Sequence, residues 1–584
     1  MLRIFTRLIP HILLIIFSCS TVLGSPENDD RRDYIVYMGK LPDRVEVGSA
    51  RYEDLLSQVL GRSFVPGTVT KIYKRSFNGF VAKLTKNEAD KLKGQQGVVS
   101  VFPDRILQLH TTRSWDFLMP TKKEPRRKLA ETNIIIGVVD TGIWPESESF
   151  GDAGLGPVPK KWKGVCNGGQ NFTCNRKIIG ARFYGSELDA RDNQGSKTTA
   201  VGHSVNGFPS TGNIPVVYGK DAGQGTCDEA LLKSCAEGCL AVEKVWKKIL
   251  VCDNVQFGTL SALDSGAAGL IGPTSTPDVA FVKPIPFAAL STGDYSNFLS
   301  YLNQTRAPKA NLLKSETVDD PTAPLVASFS SSGPNYNFPD IMKPDVTAPG
   351  VDILAAFSPR APPSNSAGDT RRVSYNVLSG TSMSCPHVAG VAAYVKSFHP
   401  DWSPSIIKSA IMTTARPLHQ NGSKEFSYGS GHVDPTKALE PGLVYEITND
   451  DYVKLLCTLG INAAAITGKN VSCSKLPKLN AKDVNYPSVV LAVNASQPFS
   501  FNITRTVLNV GPPHSTYNAS IVAHPGVKVA VFPRTLHFES SGLKKTFSVS
   551  VSGVAPKQGE VLSSSLVWSD GGHVVRSPIV VYSP

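Results

Sequence analysis

The run Asn133-Ile134-Ile135-Ile136-Gly137-Val138-Val139-Asp140 constrains the fold more than any other stretch of the chain. A half-exposed strand alternates apolar and polar residues, and this one does not. A strand that is apolar on both faces belongs in a parallel sheet covered by helices on each side. The run therefore predicts an α/β domain. In such sheets, ligand-binding and catalytic groups collect at the carboxyl ends of the strands, and the run ends on Asp140. Thr141 and Gly142 come next, so a carboxylate that caps a turn is the competing reading. With 584 residues the chain has room for about four domains. At 41% hydrophobic and 18% charged residues it has the composition of a globular protein.

The texture divides into segments. Residues 1–24 read as a signal peptide: Arg3 and Arg7 precede an apolar run over residues 8–17, and Val22-Leu23-Gly24 offers small residues for cleavage. The run is too short to span a bilayer, and no later segment reaches about 18 uninterrupted apolar residues. Residues 25–110 alternate strand-like and helix-like stretches: strands at 34–39, 80–84 and 98–102, helices at 52–60 and 86–92. That is a small βαββαβ module of the ferredoxin type. Residues 111–204 and 316–465 read as two parts of an α/β domain, and 205–315 as an inserted α/β module. Residues 484–584, rich in Val, Ser and Thr and punctuated by Pro and Gly, predict a β-sandwich.

Secretion gives the ten cysteines meaning. Cys19 leaves with the signal peptide. Cys166 and Cys174 bracket a short polar loop, and Cys457 and Cys473 bracket another; these are disulfide candidates. Cys227, Cys235, Cys239 and Cys252 supply either two further disulfides or four thiolates for zinc. No C-x-x-C pair occurs among them, which favours disulfides and no metal. Cys385 is left over. Seven N-x-[ST] sequons, at Asn171, Asn303, Asn421, Asn470, Asn494, Asn502 and Asn518, agree with an extracellular glycoprotein. The net charge of +12 is spread along the chain with no nucleic-acid-binding motif to organise it. Nucleic acid and membrane are therefore not expected partners, and no cofactor is expected.

The sharpest chemical signal is Gly380-Thr381-Ser382-Met383-Ser384-Cys385-Pro386-His387-Val388-Ala389-Gly390. Gly380 permits a tight turn, and Pro386 suits the opening of a helix. A serine there stands beside the positive end of the helix dipole, where an oxyanion is stabilised. The competing reading is a serine that only caps the helix.

GTSMSCPHVAG resembles the nucleophile motif of subtilisin-like serine proteases, and IIIGVVDTGIWPESESF resembles their catalytic-Asp motif. YIVYMG and HTTRSWDFL resemble the inhibitory propeptide and maturation junction of plant, cucumisin-type subtilases. KPDVTAPGVDILAAFSP, GSGHVDPTKALEPGLVYE, Val484-Asn485-Tyr486-Pro487-Ser488 and the Arg505 to Gly511 stretch are similar to later landmarks of that group. The resemblance implies a subtilisin-like parallel-sheet domain with an inhibitory propeptide, a protease-associated insert and a fibronectin-III-like C-terminal domain. It implies Ser382 as nucleophile, a histidine as base, and Asp140 orienting that histidine. Cutting near His110 and Thr111 would release the propeptide, and peptides or proteins would be the substrates. If the protein is from a plant, the apoplast or cell wall is the expected location.

The pattern breaks at one place. The family's histidine lies in an HGTHTAS-type motif soon after an ARDxQG-like segment. Here residues 190–195 read ARDNQG, and Ser196-Lys197-Thr198-Thr199-Ala200 comes directly after. No H-G-T or H-G-S string exists in the chain. The sequence after Gly195 resembles a much later family segment, so an internal deletion that joins the two is implied. It removes the catalytic histidine, the oxyanion asparagine and several core strands. His203 lies 63 residues after Asp140 and is a stand-in by spacing alone, without the flanking glycine and threonines. The expectation is a subtilisin-family endopeptidase, made as a zymogen, with impaired or absent activity. Two alternatives are a non-catalytic secreted protein that inhibits active relatives through its propeptide, and a splice or gene-model product that does not fold.

Overall fold

The computed structural model describes residues 31–38, 49–61, 64–73, 79–103, 114, 118, 134–138, 143–167, 172–182, 204–225, 227–315, 323–364, 366, 368–418, 425–461, 463, 467 and 471–584. The chain divides into two compact units, Met1–Leu109 and His110–Pro584.

The first unit comprises β1 (Arg32–Tyr37), α1 (Ser49–Leu60), β2 (Val69–Tyr73), β3 (Gly79–Leu84), α2 (Lys86–Lys93) and β4 (Ser100–Pro103), in chain order. The sheet order is β2-β3-β1-β4 with every pair antiparallel. This is the βαββαβ plan expected from the sequence. The strand not located there is β2, whose pairing with β3 shifts register between Val69 and Lys71. Such an irregularity breaks the clean alternation that marks a strand. Tyr52, Leu56 and Leu60 recur every fourth residue on α1, and all three are buried against Phe80, Ala82 and Leu84. The Tyr52 and Phe80 rings stack at 4.5 Å. A reciprocal cap opens α2: the Glu88 amide donates to Thr85 Oγ1, and the Thr85 amide donates to Glu88 Oε2.

The second unit opens with two short paired strands, β5 (Cys166–Asn167) and β6 (Ala181–Arg182). A five-stranded sheet comes next. It contains β7 (Ile214–Tyr218), β8 (Ile249–Val251), β9 (Gly269–Pro273), β10 (Phe287–Leu290) and β11 (Lys309–Ala310), in the order β10-β9-β8-β7-β11. The first four run parallel, and β11 is antiparallel at the edge. Its two faces are both covered. Leu250, Leu270 and Phe287 belong to one core, while Ile249, Val251 and Ile271 belong to another. Interleaved disulfides, Cys227–Cys239 and Cys235–Cys252, fasten the segment between β7 and β8 to itself and to the end of β8.

The doubly covered parallel sheet thus lies in residues 214–310, and the run that predicted one lies elsewhere. Residues 134–138 take no ladder partner among the described residues. Ile136 is 54% exposed and Val138 70% exposed. This corrects the sequence expectation: the run has the composition of a sheet centre, but the described chain supplies no neighbouring strands to pair with it.

Beyond the five-stranded sheet, β12 (Ile353–Ala356) pairs with β13 (Tyr375–Leu378) and leads into α3 (Thr381–Phe398) and α4 (Pro404–Thr413). Leu118, Val391, Val395, Ile407 and Ile411 share a buried cluster, so the two helices pack on each other and on Leu118. Ser403 caps α4 by accepting from the Ile406 amide, with Pro404 at the first helical position.

The C-terminal sandwich joins β14 (Leu443–Tyr445), β15 (Val489–Ala492), β16 (Pro498–Asn509), β17 (Ser515–Val522), β18 (Val527–Phe532), β19 (Thr535–Phe538), β20 (Lys544–Val554), β21 (Val561–Ser569) and β22 (Val574–Tyr582). Its sheets run β14-β16-β20-β18 and β15-β22-β21-β17-β19. Phe547 and Trp568 meet edge to face at 5.1 Å in the core between them. Strand β14 precedes the expected start of this domain by some forty residues. It pairs Leu443 with Asn509 and Tyr445 with Val507.

Candidate active site

The β12–β13 hairpin delivers the chain into α3. The Ser379 hydroxyl donates to Asp352 Oδ1 at 3.0 Å and accepts from the Asp352 amide at 2.8 Å, closing the hairpin's open end. The Gly380 amide donates to Gly350 O at 2.8 Å, and Ser384 Oγ donates to Ala348 O at 3.0 Å. A Cβ on Gly350 would lie 2.2 Å from Ser384 Oγ, so this approach requires glycine. These bonds press the entrance of the helix against residues 348–350.

Ser382 is the second residue of α3 and is exposed. The helix has no side-chain cap, so its first amides face outward at the positive end of the dipole. Pro386 has no N–H to give, so the Ser382 carbonyl lacks the usual donor four residues on. The Met383 amide donates to Gly380 O at 3.0 Å, so the amides beside the Ser382 hydroxyl that suit a developing oxyanion are those of Thr381 and Ser382.

No described histidine reaches the Ser382 hydroxyl. His387, five residues along, is held elsewhere. Its Nδ1 lies 2.7 Å from Met383 O, and its Nε2 lies 2.7 Å from Ser114 Oγ. A carbonyl can only accept, so Nδ1 carries the hydrogen and Nε2 of the neutral ring accepts from the serine. His399 stacks on Trp402 at 3.8 Å and contacts Leu439 O. His432 is buried, and burial pushes its pKa below the ordinary imidazole value. Asp140 and His203 lie outside the described residues, as do Asn171, Asn421, Asn470 and the 195–196 junction. The structure therefore places Ser382 but does not bring it together with the other sequence-derived candidates.

Of the remaining sequons, Asn303, Asn494, Asn502 and Asn518 are all exposed. Disulfides close between Cys166 and Cys174 and between Cys457 and Cys473, and Cys385 is free and exposed. Among the described residues, no group of acidic, His and Cys side chains could hold a metal ion. No described helix is long and apolar enough to cross a membrane.

The sequence reading missed a charged cluster behind the helices. Asp345 Oδ2 lies 2.7 Å from Lys343 Nζ and 3.1 Å from Lys408 Nζ, and Asp345 Oδ1 accepts from the Tyr486 hydroxyl. Burial works against the carboxylate, yet Lys408 and Lys343 outweigh it and hold Asp345 below the usual carboxylate range. The phenol comes from the sandwich side of the chain and the lysine from α4, so the cluster bolts the two together. The motifs KPD and NYPS that contain Asp345 and Tyr486 were visible in the sequence, but nothing there indicated that they meet.

Comparison with known proteins agrees with this layout. Residues 210–431 match the subtilase family, residues 33–110 match peptidase inhibitor I9, and residues 483–581 match a fibronectin type-III domain. The subtilisin-like protease SBT4.4 of Arabidopsis thaliana is 39% identical, with 98% of each chain covered. The subtilisin-like protease SBT4.12 of the same plant is 40% identical, with 98% of this chain and 97% of that one covered. Among solved structures, a psychrophilic subtilisin-like protease Apa1 from Pseudoalteromonas sp. AS-11 aligns over 41% of each chain at 14% identity, with a TM-score of 0.15. The SBT4.4 alignment spans 729 positions, whereas this chain has 584 residues, so at least 145 of those positions have no residue of this chain opposite them. With overall identity near 40% in alignments that cover 98% of it, the chain belongs to the subtilase family of serine proteases, carrying an I9-type propeptide domain and a fibronectin type-III domain.

Proposed function

We propose that this chain is the precursor of a secreted subtilisin-type serine endopeptidase whose capacity to cut peptide bonds is largely lost. Ser382 would attack the peptide carbonyl, and Asp140 would orient a histidine base that the chain does not supply in its usual motif. The observation that carries the reading is the exposed Ser382 at the uncapped entrance of α3, with the neighbouring His387 committed to Met383 and Ser114. The gap of at least 145 aligned positions supports an internal deletion at the 195–196 junction. In a subtilisin, losing the catalytic histidine alone costs about a millionfold in turnover. Secretion is supported by the N-terminal apolar run and by four disulfides. The sequons at Asn303, Asn494, Asn502 and Asn518 would carry glycans, and residues 205–315 would form the protease-associated module.

The test is an active-site label. A fluorophosphonate probe should mark Ser382 no faster than it marks the Ser382→Ala variant of the same secreted chain. Rapid labelling that the variant abolishes would show the enzyme to be live. Sequencing the transcript across codons 195–196 checks the deletion itself, and an HGTHTAS-bearing insert there would restore an ordinary protease.

One observation favours a second role. Residues 31–103 have their own four-stranded sheet and core, which include no residue near the 195–196 junction. This module would act in trans as an inhibitor of intact relatives. If residues 25–110 fail to slow an active plant subtilase, that role is excluded.

A further inference from the structure

The outer face of β16 carries a sequon and the edge of a pocket side by side. Ile503 and Val507 point into the sandwich core, so the alternation of a strand turns Asn502, Thr504 and Thr506 outward. Asn502 is exposed, and Asn502-Ile503-Thr504 is an N-x-[ST] sequon. Thr504 and Thr506 line a pocket of about 310 Å³. At a rise of about 3.4 Å per residue, Asn502 stands about 7 Å along the strand from Thr504.

The pocket forms because β14 stops at Tyr445 while the paired β16 runs on toward Asn502. Asn485 fills the next place in the ladder. Its amide donates to Thr506 O at 2.8 Å and to Glu446 O at 3.0 Å, and its Oδ1 accepts from the Thr506 amide at 2.9 Å. The chain past β14 is thus held off from β16, and Glu446, Asp451 and Asp483 line the pocket beside the threonines.

Each of these carboxylates already has its lysine. Lys544 Nζ lies 2.9 Å from Glu446 Oε2, Lys454 Nζ 3.3 Å from Asp451 Oδ1, and Lys482 Nζ 2.7 Å from Asp483 Oδ1. Charge is balanced, so the lining calls for neither a cation nor an anion. What it offers is hydrogen bonding: threonine hydroxyls, and carboxylate lone pairs beyond those one ammonium takes up. That chemistry matches a neutral ligand rich in hydroxyl and amide groups.

We propose that this pocket seats the inner N-acetylglucosamine rings of a glycan on Asn502. The proposal rests on the glycosylation reading above. The point of attachment selects the occupant. A tether about 7 Å away holds the sugar at an effective concentration in the millimolar range, so contacts too weak to capture a free sugar are enough. The seated glycan bridges the chain past β14 and the face of β16.

The test uses the full chain secreted from a cell line that makes only oligomannose glycans. Peptide mass mapping gives the occupancy of Asn502 and of two controls, Asn494 in the turn before β16 and Asn518 on β17 of the other sheet. Endoglycosidase H cuts between the two inner N-acetylglucosamine rings and so reads their accessibility. In the folded chain it should release the Asn502 glycan at least about tenfold more slowly than in the denatured chain, while the control glycans leave at similar rates in both. Thr506→Tyr, which fills the pocket and keeps the sequon, should abolish that protection. Equal release from folded and denatured chain, or protection that persists in Thr506→Tyr, would overturn the seat and leave glycosylation standing. A bare Asn502 would overturn both. The folded-against-denatured comparison uses the unmodified chain and stands even if the variant fails to fold.

Discussion

The imidazole of His387 accepts a hydrogen bond of 2.7 Å from the hydroxyl of Ser114, a residue 273 positions earlier in the chain. Ser114 stands just past the boundary between the two compact units at Leu109 and His110. Four residues later, Leu118 enters the core beneath α3. The start of the second unit is thus pinned to α3 by one polar and one apolar contact. Ser114→Ala should lower the stability of that unit by about 1–2 kcal/mol, since it leaves a part-buried imidazole nitrogen unanswered. The midpoint of its urea transition, tracked separately from that of the first unit, measures the loss.

The Asp345 cluster makes a sharper prediction. Removing the carboxylate leaves two lysines facing each other, so Asp345→Asn should destabilise the junction of α4 with the sandwich. Breaking a buried pair costs about 3–5 kcal/mol, but Lys343 and Lys408 are partly exposed, and about 1–2 kcal/mol is expected. Differential scanning fluorimetry at neutral pH, with and without high salt, reads the effect. Salt should shrink the difference between variant and parent.

Acid should act on this unit in two stages. His432 has its pKa lowered by burial, so its unfolded form binds a proton that the folded form refuses. Stability therefore falls as pH drops below the unfolded value of about 6.5. Asp345 is held low, so its contribution is present above the unfolded carboxylate pKa and is lost as pH falls through its folded value. Melting temperatures measured from pH 8 to pH 3 should show the first decline flattened in His432→Gln and the second flattened in Asp345→Asn. Identical profiles for all three chains would contradict both assignments.

Thiol chemistry offers a check on the disulfide framework. Without reductant, iodoacetamide should alkylate the folded secreted chain once, at Cys385. Under graded reductant, Cys166–Cys174 and Cys457–Cys473, each with one exposed cysteine, should open first. Cys235–Cys252, with both sulfur-bearing residues fully buried, should open last. Peptide mass mapping of the alkylated sites gives the order.

The sandwich was legible in Val-, Ser- and Thr-rich stretches punctuated by Pro and Gly, and α1 in a repeat of apolar residues written into the sequence itself. The order of the disulfides around Cys227 and Cys252 was not, since spacing alone leaves the pairing open. The described part of the apolar run, residues 134–138, shows the reverse failure. Its residues encode a sheet centre faithfully, but a strand needs partners, and partners are a property of the rest of the chain. For the site, Ser382 could be read from its motif, since a glycine turn, a helix entrance and a proline all lie within a few residues. Asp345 could not, because its partners Lys408 and Tyr486 are far away in sequence and the contact exists only once the chain is folded.

Strand β14 has one further consequence. The fibronectin type-III match begins at residue 483, yet Leu443–Tyr445 supplies the outermost strand of one sandwich sheet. The piece that can be exchanged between genes is therefore larger than the piece that sequence comparison recognises. A recombination breakpoint at 483 would deliver a sandwich whose β16 edge is bare. One upstream of 443 would carry the edge strand with it, together with the Tyr445 hydroxyl that meets Ser577 on β22.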